Sequence, residues 1–157
     1  LSFDSKITVI DQIIDRALKV ENSGIVILAT SNEKKDDALV SYLRKYSNIE
    51  IFRGSENNVL SRYYYAAKKY KIEQIVRLTG DNPCIDSEII SDTVKKHINA
   101  QVDYSYTKGY PLGMNVEVMK YEALEIAFNQ GIKRQCLLIT ILPFSMSKIL
   151  SSTPIII

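Results

Sequence analysis

The chain has 157 residues, of which 46% are hydrophobic and 24% charged, a composition typical of one ordinary globular domain with a sizeable core. Its formal net charge of +2 is too small to indicate a nucleic-acid partner or an anionic membrane surface, and no run of the sequence is long and apolar enough to span a bilayer. The two cysteines, Cys84 and Cys136, provide neither a disulfide framework nor a metal-ligand spacing, so a reduced, cytoplasmic compartment is expected.

Helical and strand patterns alternate from the start of the chain. Apolar residues at helical spacing predict an amphipathic helix over roughly residues 8–21, which Asn22-Ser23-Gly24 ends. The continuous apolar run Ile25–Ala29 predicts a strand that is covered on both faces. Asn32 is expected to cap the helix that follows this strand.

The same alternation continues to residue 86. A strand is predicted over Ile49–Arg53, and a helix over Ser55–Tyr70 with its first residue as the cap. Ile75–Leu78 is rich in β-branched and apolar residues and predicts a short buried strand. Pro83 prevents this strand from continuing, and Asp86 is expected to cap the next helix.

Beyond residue 86 the pattern becomes mixed. A helix is predicted over residues 87–98, and two alternating runs, 102–106 and 115–119, are expected to add strands at the edge of the sheet. In the second run Glu117 points to the face opposite its valine neighbours. A last helix over residues 123–128 is expected to end near Gly131.

Strands and helices that alternate about every 25 residues imply βαβ units and a mostly parallel sheet. We therefore predict one α/β domain over residues 1–157, built as three α/β/α layers. Residues 135–157 fit this domain poorly, because Lys148 is their only charged residue and they show no clean periodicity. Three interpretations of this tail remain: a buried strand and tail, a place where a partner docks, or sequence that is not native to the fold.

Polar turns follow three of the predicted strands, at Thr30-Ser31-Asn32, Arg53-Gly54-Ser55 and Thr79-Gly80-Asp81. The carboxyl ends of parallel strands meet at one edge of a sheet, which is where open α/β sheets bind ligands. Helix amides and an arginine suit phosphate, and a carboxylate suits Mg²⁺ that carries phosphates. The simpler interpretations are helix capping by Ser and Asn, a solvated arginine, and an Asx turn at the aspartate.

Other conspicuous side chains are expected to be structural. Arg77 lies within a strand, where a surface site or a sheet-edge salt bridge is favoured over catalysis, and the simplest place for Glu117 is a solvent-facing strand position. Tyr63–Tyr65 are expected to pack in the core, and His97, late in a helix beside two lysines, is expected to be solvated. One histidine and two distant cysteines argue against a catalytic triad or a zinc site, and no G-x-G-x-x-G or Walker A sequence is present.

Four motifs fall in one order along the chain: Ile-Leu-Ala-Thr-Ser (27–31) with Asp36-Asp37, Phe-Arg-Gly-Ser (52–55) with Asn-Val-Leu-Ser-Arg-Tyr-Tyr (58–64), Val-Arg-Leu-Thr-Gly-Asp-Asn-Pro (76–83), and Gly-Met-Asn-Val-Glu-Val (113–118). In this order they resemble the cytidylyltransferase family related to the spore coat polysaccharide biosynthesis protein SpsF. That family is itself similar to the synthetases of CMP-KDO and CMP-sialic acid. The likeness extends from about residue 1 to residue 134.

The resemblance implies a nucleotide-diphosphosugar-transferase fold and transfer of CMP from CTP to a sugar of acidic or cell-surface polysaccharide type, with release of pyrophosphate. It implies that Asp81 is the catalytic residue and the ligand of Mg²⁺, and that Asn115 and Glu117 face the sugar. The residues expected to line the nucleotide pocket are Thr30, Ser31, Arg53, Gly54, Ser55, Thr79 and Gly80. A homodimer is expected from the relatives, with its contact near residues 102–119.

The chain departs from this family at both ends, so it is expected to be a partial nucleotidyltransferase domain. A first strand and a basic loop that grips the triphosphate are absent, and so is a later Asp-Thr-Pro-x-Asp segment. The missing strand would lie between 25–29 and 75–79, which are therefore expected to leave an open slot or to close up wrongly. The alternatives are an inactive fragment, a non-catalytic α/β domain that binds a nucleotide or a partner, and a glycosyltransferase that uses a nucleotide-sugar.

Overall fold

The computed structural model describes residues 2–4, 7–111, 113–131 and 153–156. Within these residues helices pack on both faces of a six-stranded sheet, which confirms the predicted α/β architecture. The elements follow in this order: β1 (Ser2–Asp4), β2 (Ile7–Thr8), α1 (Val9–Ala17), β3 (Ser23–Ser31), α2 (Asp37–Leu43), β4 (Ile49–Gly54), α3 (Val59–Tyr70), β5 (Gln74–Arg77), α4 (Ser87–Ala100), β6 (Tyr104–Tyr106), β7 (Glu117–Lys120), α5 (Tyr121–Asn129) and β8 (Thr153–Ile156). The short strands β1 and β2 form a separate antiparallel pair that no sequence pattern predicted.

The strand order in the main sheet is β4-β3-β8-β5-β7-β6. β3 runs parallel to both β4 and β8, and β8 is also parallel to β5. β7 and β6 are added antiparallel at one side, as the alternating runs near 102 and 115 predicted. The sheet is therefore mostly parallel, and its parallel strands all end at one edge.

β8 occupies the place between β3 and β5 that we expected to be open or collapsed. Ile155 pairs with Val26 on one side and with Val76 on the other, and the next residue continues both ladders. The expectation of an empty or collapsed slot was wrong, because a segment from the far end of the chain supplies the missing ladder. A strand in the tail is confirmed for these four residues, whereas 135–152 lie outside the described residues.

A shift in register accommodates Pro154 at the centre of the sheet. Proline cannot donate a ladder hydrogen bond, so sheets tolerate it mainly at edges and bulges. The register shifts between Ser23 and Val26, which places Gly24 and Ile25 together opposite Pro154. On the other side the ladder with β5 begins only at Ile155, so β8 docks through few backbone pairs.

Two apolar clusters hold the layers together, one between the sheet and α1, α2 and α4, the other between the sheet and α3 and α5. Val116 and Val118 are both fully buried in the first cluster, as their alternation predicted. Tyr63 and Tyr64 pack in the second cluster and are each 5% exposed, which confirms the predicted packing role. Tyr65 differs, because half of it is exposed.

Two helix starts differ from their predictions. α3 begins after Asn58, whose side chain accepts a hydrogen bond from the first helical turn, so Asn58 rather than Ser55 is the cap. A short 3-10 turn, Lys34–Asp36, precedes α2, and Asn32 does not cap that helix. Asp86 caps α4 as predicted, by accepting hydrogen bonds from two backbone amides.

A buried carboxylate anchors α1. Asp11 is 4% exposed and forms a capping box with Thr8. Its oxygens also accept hydrogen bonds from the hydroxyls of Tyr42, at 2.5 Å, and Tyr46, at 2.8 Å, and Lys45 Nζ lies 2.7 Å away. Burial alone would raise the pKa of Asp11, but the hydrogen bonds from Lys45, Tyr42 and Thr8 outweigh it and hold this pKa well below its usual value. The cluster therefore ties α1 to the end of α2.

His97 is buried, so the prediction that it is solvated was wrong. It is 1% exposed, with Nδ1 2.8 Å from Ser105 Oγ and Nε2 3.1 Å from Gln74 Oε1. Because a glutamine oxygen can only accept, Nε2 donates its proton to Gln74 and the Ser105 hydroxyl donates to Nδ1. The signal was available, since His97 continues the helical face of Ile90 and Val94.

We expect the protein to lose stability as the pH falls through the titration of His97. Burial, and then the charge of Lys120, lowers the pKa of His97 from 6.5 to about 4, while Asp103 opposes this shift. Between these values the unfolded chain binds more protons, so the stabilisation is complete above about pH 6.5 and disappears towards about pH 4. Urea unfolding should show a loss of roughly 2 kcal/mol between about pH 7 and about pH 5. If the unfolding free energy of His97→Gln changed with pH to the same extent, His97 would not be the group responsible.

β6 lies at an outer edge of the sheet, and its Tyr106 is 60% exposed. The homodimer contact expected near residues 102–119 stays a prediction. In the part of the chain that the structure describes, no helix is both long enough and apolar enough to cross a membrane.

Candidate functional site

Three polar turns meet at the carboxyl edge of the sheet, as the sequence predicted, but they form two groups. β3 and β4 are neighbours, and their ladder extends to the pair Ser31 and Gly54. The turn Thr79-Gly80-Asp81 follows β5, which β8 separates from β3. We call the turns after β3 and β4 the first half of the site. The turn after β5, together with residues 113–117, is the second half.

In the first half, the hydroxyls of Thr30 and Ser31 donate to one carboxylate. Asp36 Oδ2 accepts from Thr30 Oγ1 at 2.7 Å and from Ser31 Oγ at 2.6 Å, and the Ser31 amide donates to it at 3.0 Å. The hydrogen bonds from Ser31, and then those from Thr30, lower the pKa of Asp36. Thr30 and Ser31 are 8% and 5% exposed, so in this state they fix the path of the turn.

Arg53 ties the turn after β3 to the end of β4. Its Nε donates to the Ser31 carbonyl at 2.9 Å, one terminal nitrogen donates to Asp37 at 2.6 Å, and the other to the Glu33 carbonyl at 2.9 Å. Arg53 is exposed, but it is not the simply solvated charge of the alternative interpretation. A phosphate at this edge would share or exchange these partners, Asp37 first, since it is the only ionised one.

Gly54 lets Arg62 approach the first half closely. A Cβ at Gly54 would lie 3.1 Å from Arg62 Cγ and 3.2 Å from Phe52 Cε1, so a larger residue would displace both. Arg62 donates to the carbonyls of Ser55, at 2.7 Å, and Glu56, at 3.0 Å. Ser55 therefore contributes its backbone carbonyl to the arrangement of the first half.

Asp81, in the second half, is presented on an exposed turn. The Asn82 amide donates to the Thr79 carbonyl at 3.2 Å and closes this turn. Gly80 is exposed, and a Cβ placed there would meet nothing within 4 Å, so the approach to Asp81 is open. Among the described residues the Asp81 carboxylate makes no hydrogen bond or ion pair, so it does not form the Asx turn of the alternative interpretation. Its charge is available to a ligand.

The predicted sugar-facing residues lie beside this turn. A Cβ at Gly113 would lie 3.4 Å from Asn82 Oδ1, so the loop before β7 passes against the turn that carries Asp81. Asn115 follows in this loop and is exposed, and Glu117 begins β7. The structure thus brings both residues into the second half, and their binding of a sugar stays a prediction.

A cross-strand ion pair holds Glu117. Arg77 Nη1 donates to Glu117 Oε1 at 3.0 Å, and the two side chains are 21% and 24% exposed. The salt bridge favoured for Arg77 is confirmed, and the solvent-facing position considered for Glu117 is replaced by a half-buried, paired one. Glu117 Oε2 is buried and has no hydrogen-bond partner within the described residues.

Asp81 suits a metal ion that is already bound to the phosphates of a ligand. In residues 7–111 and 113–131, no three His, Cys, Asp or Glu side chains lie close enough to hold an ion alone. Mg²⁺ needs only one or two protein carboxylates when phosphate oxygens and water complete its shell. A single unpaired carboxylate at an open turn meets that requirement.

Asp36 is the residue of the site that sequence reasoning missed. It was noted in the first motif, but no role was given to it. The available signal was its short distance along the chain from two hydroxyl residues at a strand end, because such a turn can fold its carboxylate back onto them.

This chain was compared with protein-family models and with known proteins. The family model described as Cytidylyltransferase matches residues 5–139. An uncharacterized protein of Methanocaldococcus jannaschii is 37% identical over 123 residues, which are 78% of this chain and 50% of that protein. The spore coat polysaccharide biosynthesis protein SpsF of Bacillus subtilis is 36% identical over 99 residues, or 63% of this chain and 41% of that protein. The chain thus spans half or less of these curated relatives.

Solved structures agree with the fold. A cytidylyltransferase from Leptospira borgpetersenii matches with a TM-score of 0.73 at 30% identity, over 80% of this chain and 54% of that chain. The CMP:2-keto-3-deoxy-manno-octonic acid synthetase, solved in complex with CTP, matches with a TM-score of 0.57 at 12% identity, over 78% of this chain and 66% of that chain. The second likeness shows the fold alone. Together they confirm the nucleotidyltransferase-like α/β architecture.

Proposed function

This chain belongs to the cytidylyltransferase family, and from that premise we propose that it serves the transfer of CMP from CTP to a sugar. An oxygen of the sugar attacks the α-phosphorus of CTP. The bond from that phosphorus to the bridging oxygen breaks, pyrophosphate leaves, and the hydroxyl proton passes to solvent. The polysaccharide role in the name of SpsF and the CTP bound by the synthetase support this choice of nucleotide and acceptor.

The observation that carries the proposal is the carboxylate of Asp81, which has no partner among the described residues and lies at the carboxyl edge of a parallel sheet. None of the described residues neutralises the charge of Asp81. A triphosphate beside this carboxylate would be repelled unless a cation lay between them. Mg²⁺, when bound there, would offset charge on the triphosphate and on the departing pyrophosphate. Asp81 would then hold the α-phosphate in reach of the acceptor.

The other residues of the site divide between orientation and recognition. In the first half, Arg53 offers a guanidinium to phosphate, while the turn that Asp36 fixes presents its backbone to the nucleotide. In the second half, the small Gly80 leaves room for phosphate beside Asp81. Glu117, held by Arg77, would orient the sugar oxygen for attack.

Calorimetric titration of the chain with CTP, with and without Mg²⁺, tests the proposal. We expect binding that depends on Mg²⁺ and that weakens by about tenfold or more, ~1.4 kcal/mol, in Asp81→Ala. Asp81→Asn should behave similarly, because it keeps the size of the side chain but removes the charge that the cation needs.

Asp92→Asn is the matched control. Asp92 is an exposed aspartate on α4 that pairs with Lys96 on the same helix, so its loss should leave CTP affinity unchanged. CTP binding that persists in Asp81→Ala, or no binding by a chain shown to be folded by circular dichroism, would contradict the proposed function.

A further inference from the structure

The two halves of the site are joined through β8. β3 carries the first half and β5 carries the second, and in the described sheet each of them pairs with β8 rather than with the other. A strand between them keeps β3 and β5 two strand spacings apart, roughly 10 Å. The distance from Asp81 to the first half therefore depends on the presence of β8.

Among the described residues, each hydrogen bond outside the sheet that links the chain as far as α3 to the chain after β5 involves a side chain. Arg16 of α1 donates to the Ile85 carbonyl at 2.7 Å, and Tyr63 of α3 donates to the Leu78 carbonyl at 3.1 Å. Such side chains can follow a backbone shift by rotating, whereas a ladder of backbone hydrogen bonds fixes the spacing of its strands. β8 thus provides the backbone link between β3 and β5 in the described sheet.

In the part of the chain that the structure describes, the backbone pairs of β8 stop before the polar turns of the site. Its ladders end at Ile156, opposite Ile27 and Arg77, while β3 continues to Ser31. The polar turns of both halves therefore lie beyond the last described pair of β8, while Glu117 lies level with that pair, opposite Arg77. Few backbone pairs and the interruption at Pro154 make this docking weak for a central strand.

We propose that β8 is a positioning strand for the nucleotide site, and that CTP with Mg²⁺ binds only the molecules in which β8 is docked. The inference rests on the proposed function, because it takes CTP as the nucleotide. The apparent affinity for CTP then falls in proportion to the fraction of molecules with β8 in place. By linkage, bound CTP also stabilises the docked strand.

Ile156→Gly weakens the last pair of β8, next to the site, and tests this proposal. Glycine disfavours the extended strand, so we expect about tenfold weaker binding of CTP with Mg²⁺ in a chain that circular dichroism shows to be folded. Ile156→Ala is a milder variant that should give a smaller loss. Lys120→Gly makes the same kind of change in β7, at the end of the sheet opposite the polar turns, where it pairs with Gln74, and should leave the affinity unchanged.

A distance measurement separates positioning from general destabilisation. Spin labels on Asn32→Cys, in the first half, and on the exposed native Cys84, beyond the second, report the spacing when Cys136 is replaced by serine. We expect one narrow distance distribution in the unsubstituted background, a broad one in Ile156→Gly, and narrowing when CTP and Mg²⁺ are added.

Unchanged affinity in both Ile156 variants, or a distance distribution that Ile156→Gly leaves narrow, would overturn the proposal. Failure of this proposal can be distinguished from failure of the proposed function. If the unsubstituted chain does not bind CTP, the proposed function fails, but the spacing measured without nucleotide still shows whether β8 sets the distance between the halves.

Discussion

Replacing Ile155 with proline is expected to undock β8 and to lower the free energy of unfolding by about 2 kcal/mol. Ile155 pairs with Val26 and Val76, so its backbone lies between two ladders. Proline there removes a donor at a residue that pairs with a strand on each side, whereas Pro154 lies opposite the register shift itself. Urea unfolding followed by far-ultraviolet circular dichroism measures the loss.

Ile155→Val is the control for this change, because a second β-branched residue keeps the donor and the strand preference. It should unfold within about 1 kcal/mol of the unsubstituted chain. A midpoint of unfolding that Ile155→Pro leaves unchanged would mean that Thr153–Ile156 do not pair with β3 and β5 in solution.

Asp11→Ala is expected to cost about 3 kcal/mol. The substitution leaves the hydroxyls of Tyr42 and Tyr46 and the backbone amide of Thr8 without their acceptor, and it leaves Lys45 without its counter-ion. The end of α2 should then separate from α1. Urea unfolding at neutral pH measures the effect, and Asp92→Ala, which breaks an exposed pair on α4, should cost under about 1 kcal/mol.

The effect of Asp11→Ala on the free energy of unfolding should also depend on pH, in the direction that the lowered pKa of Asp11 sets. The pKa of Asp11 is lower in the folded protein than its value of 3.8 in the unfolded chain. The stabilisation by Asp11 is therefore fully present above about pH 4 and is lost as the pH falls below it. The difference in unfolding free energy between the unsubstituted chain and Asp11→Ala should shrink below about pH 4, and a constant difference would refute the assignment.

Local patterns predicted most of the fold. The apolar run at 25–29 and the alternating run at 115–119 each lie within or overlap an observed strand, and the amphipathic pattern before residue 21 contains α1. These patterns succeed because a helix or strand that is buried on one or both faces has a characteristic spacing of apolar residues along the sequence. The parallel connection of β3 to β4 follows from the helix between them, which leaves little choice of topology.

The position of β8 could not be predicted in the same way. Three of the four residues Thr153–Ile156 are β-branched, which suits an edge strand, a central strand or a buried tail, and Pro154 argues against the central place. The place of β8 depends on β3 and β5, each of which has one side that no other described strand pairs with, and no local pattern records that relation.

In the candidate site, too, the sequence predicts the sheet topology but not the contacts that depend on the path of a loop. The topology of a parallel sheet suffices to bring the three polar turns to one edge. The acceptor of the Thr30 and Ser31 hydroxyls depends on how the loop returns, so Asp36 had no predicted role. The partners of Arg53 likewise depend on the path of the chain after β3.

The central place of β8 also has a consequence for the order in which the protein is made. β3 with β4, and β5 with β7 and β6, pair strands that lie close together along the chain, so each sub-sheet can form while synthesis continues. The segment that joins them leaves the ribosome well over a hundred residues after β3. Until then, among the described strands, β3 and β5 each expose an unpaired edge, the kind that recruits neighbouring chains, so the nascent protein depends on the interval before β8 arrives.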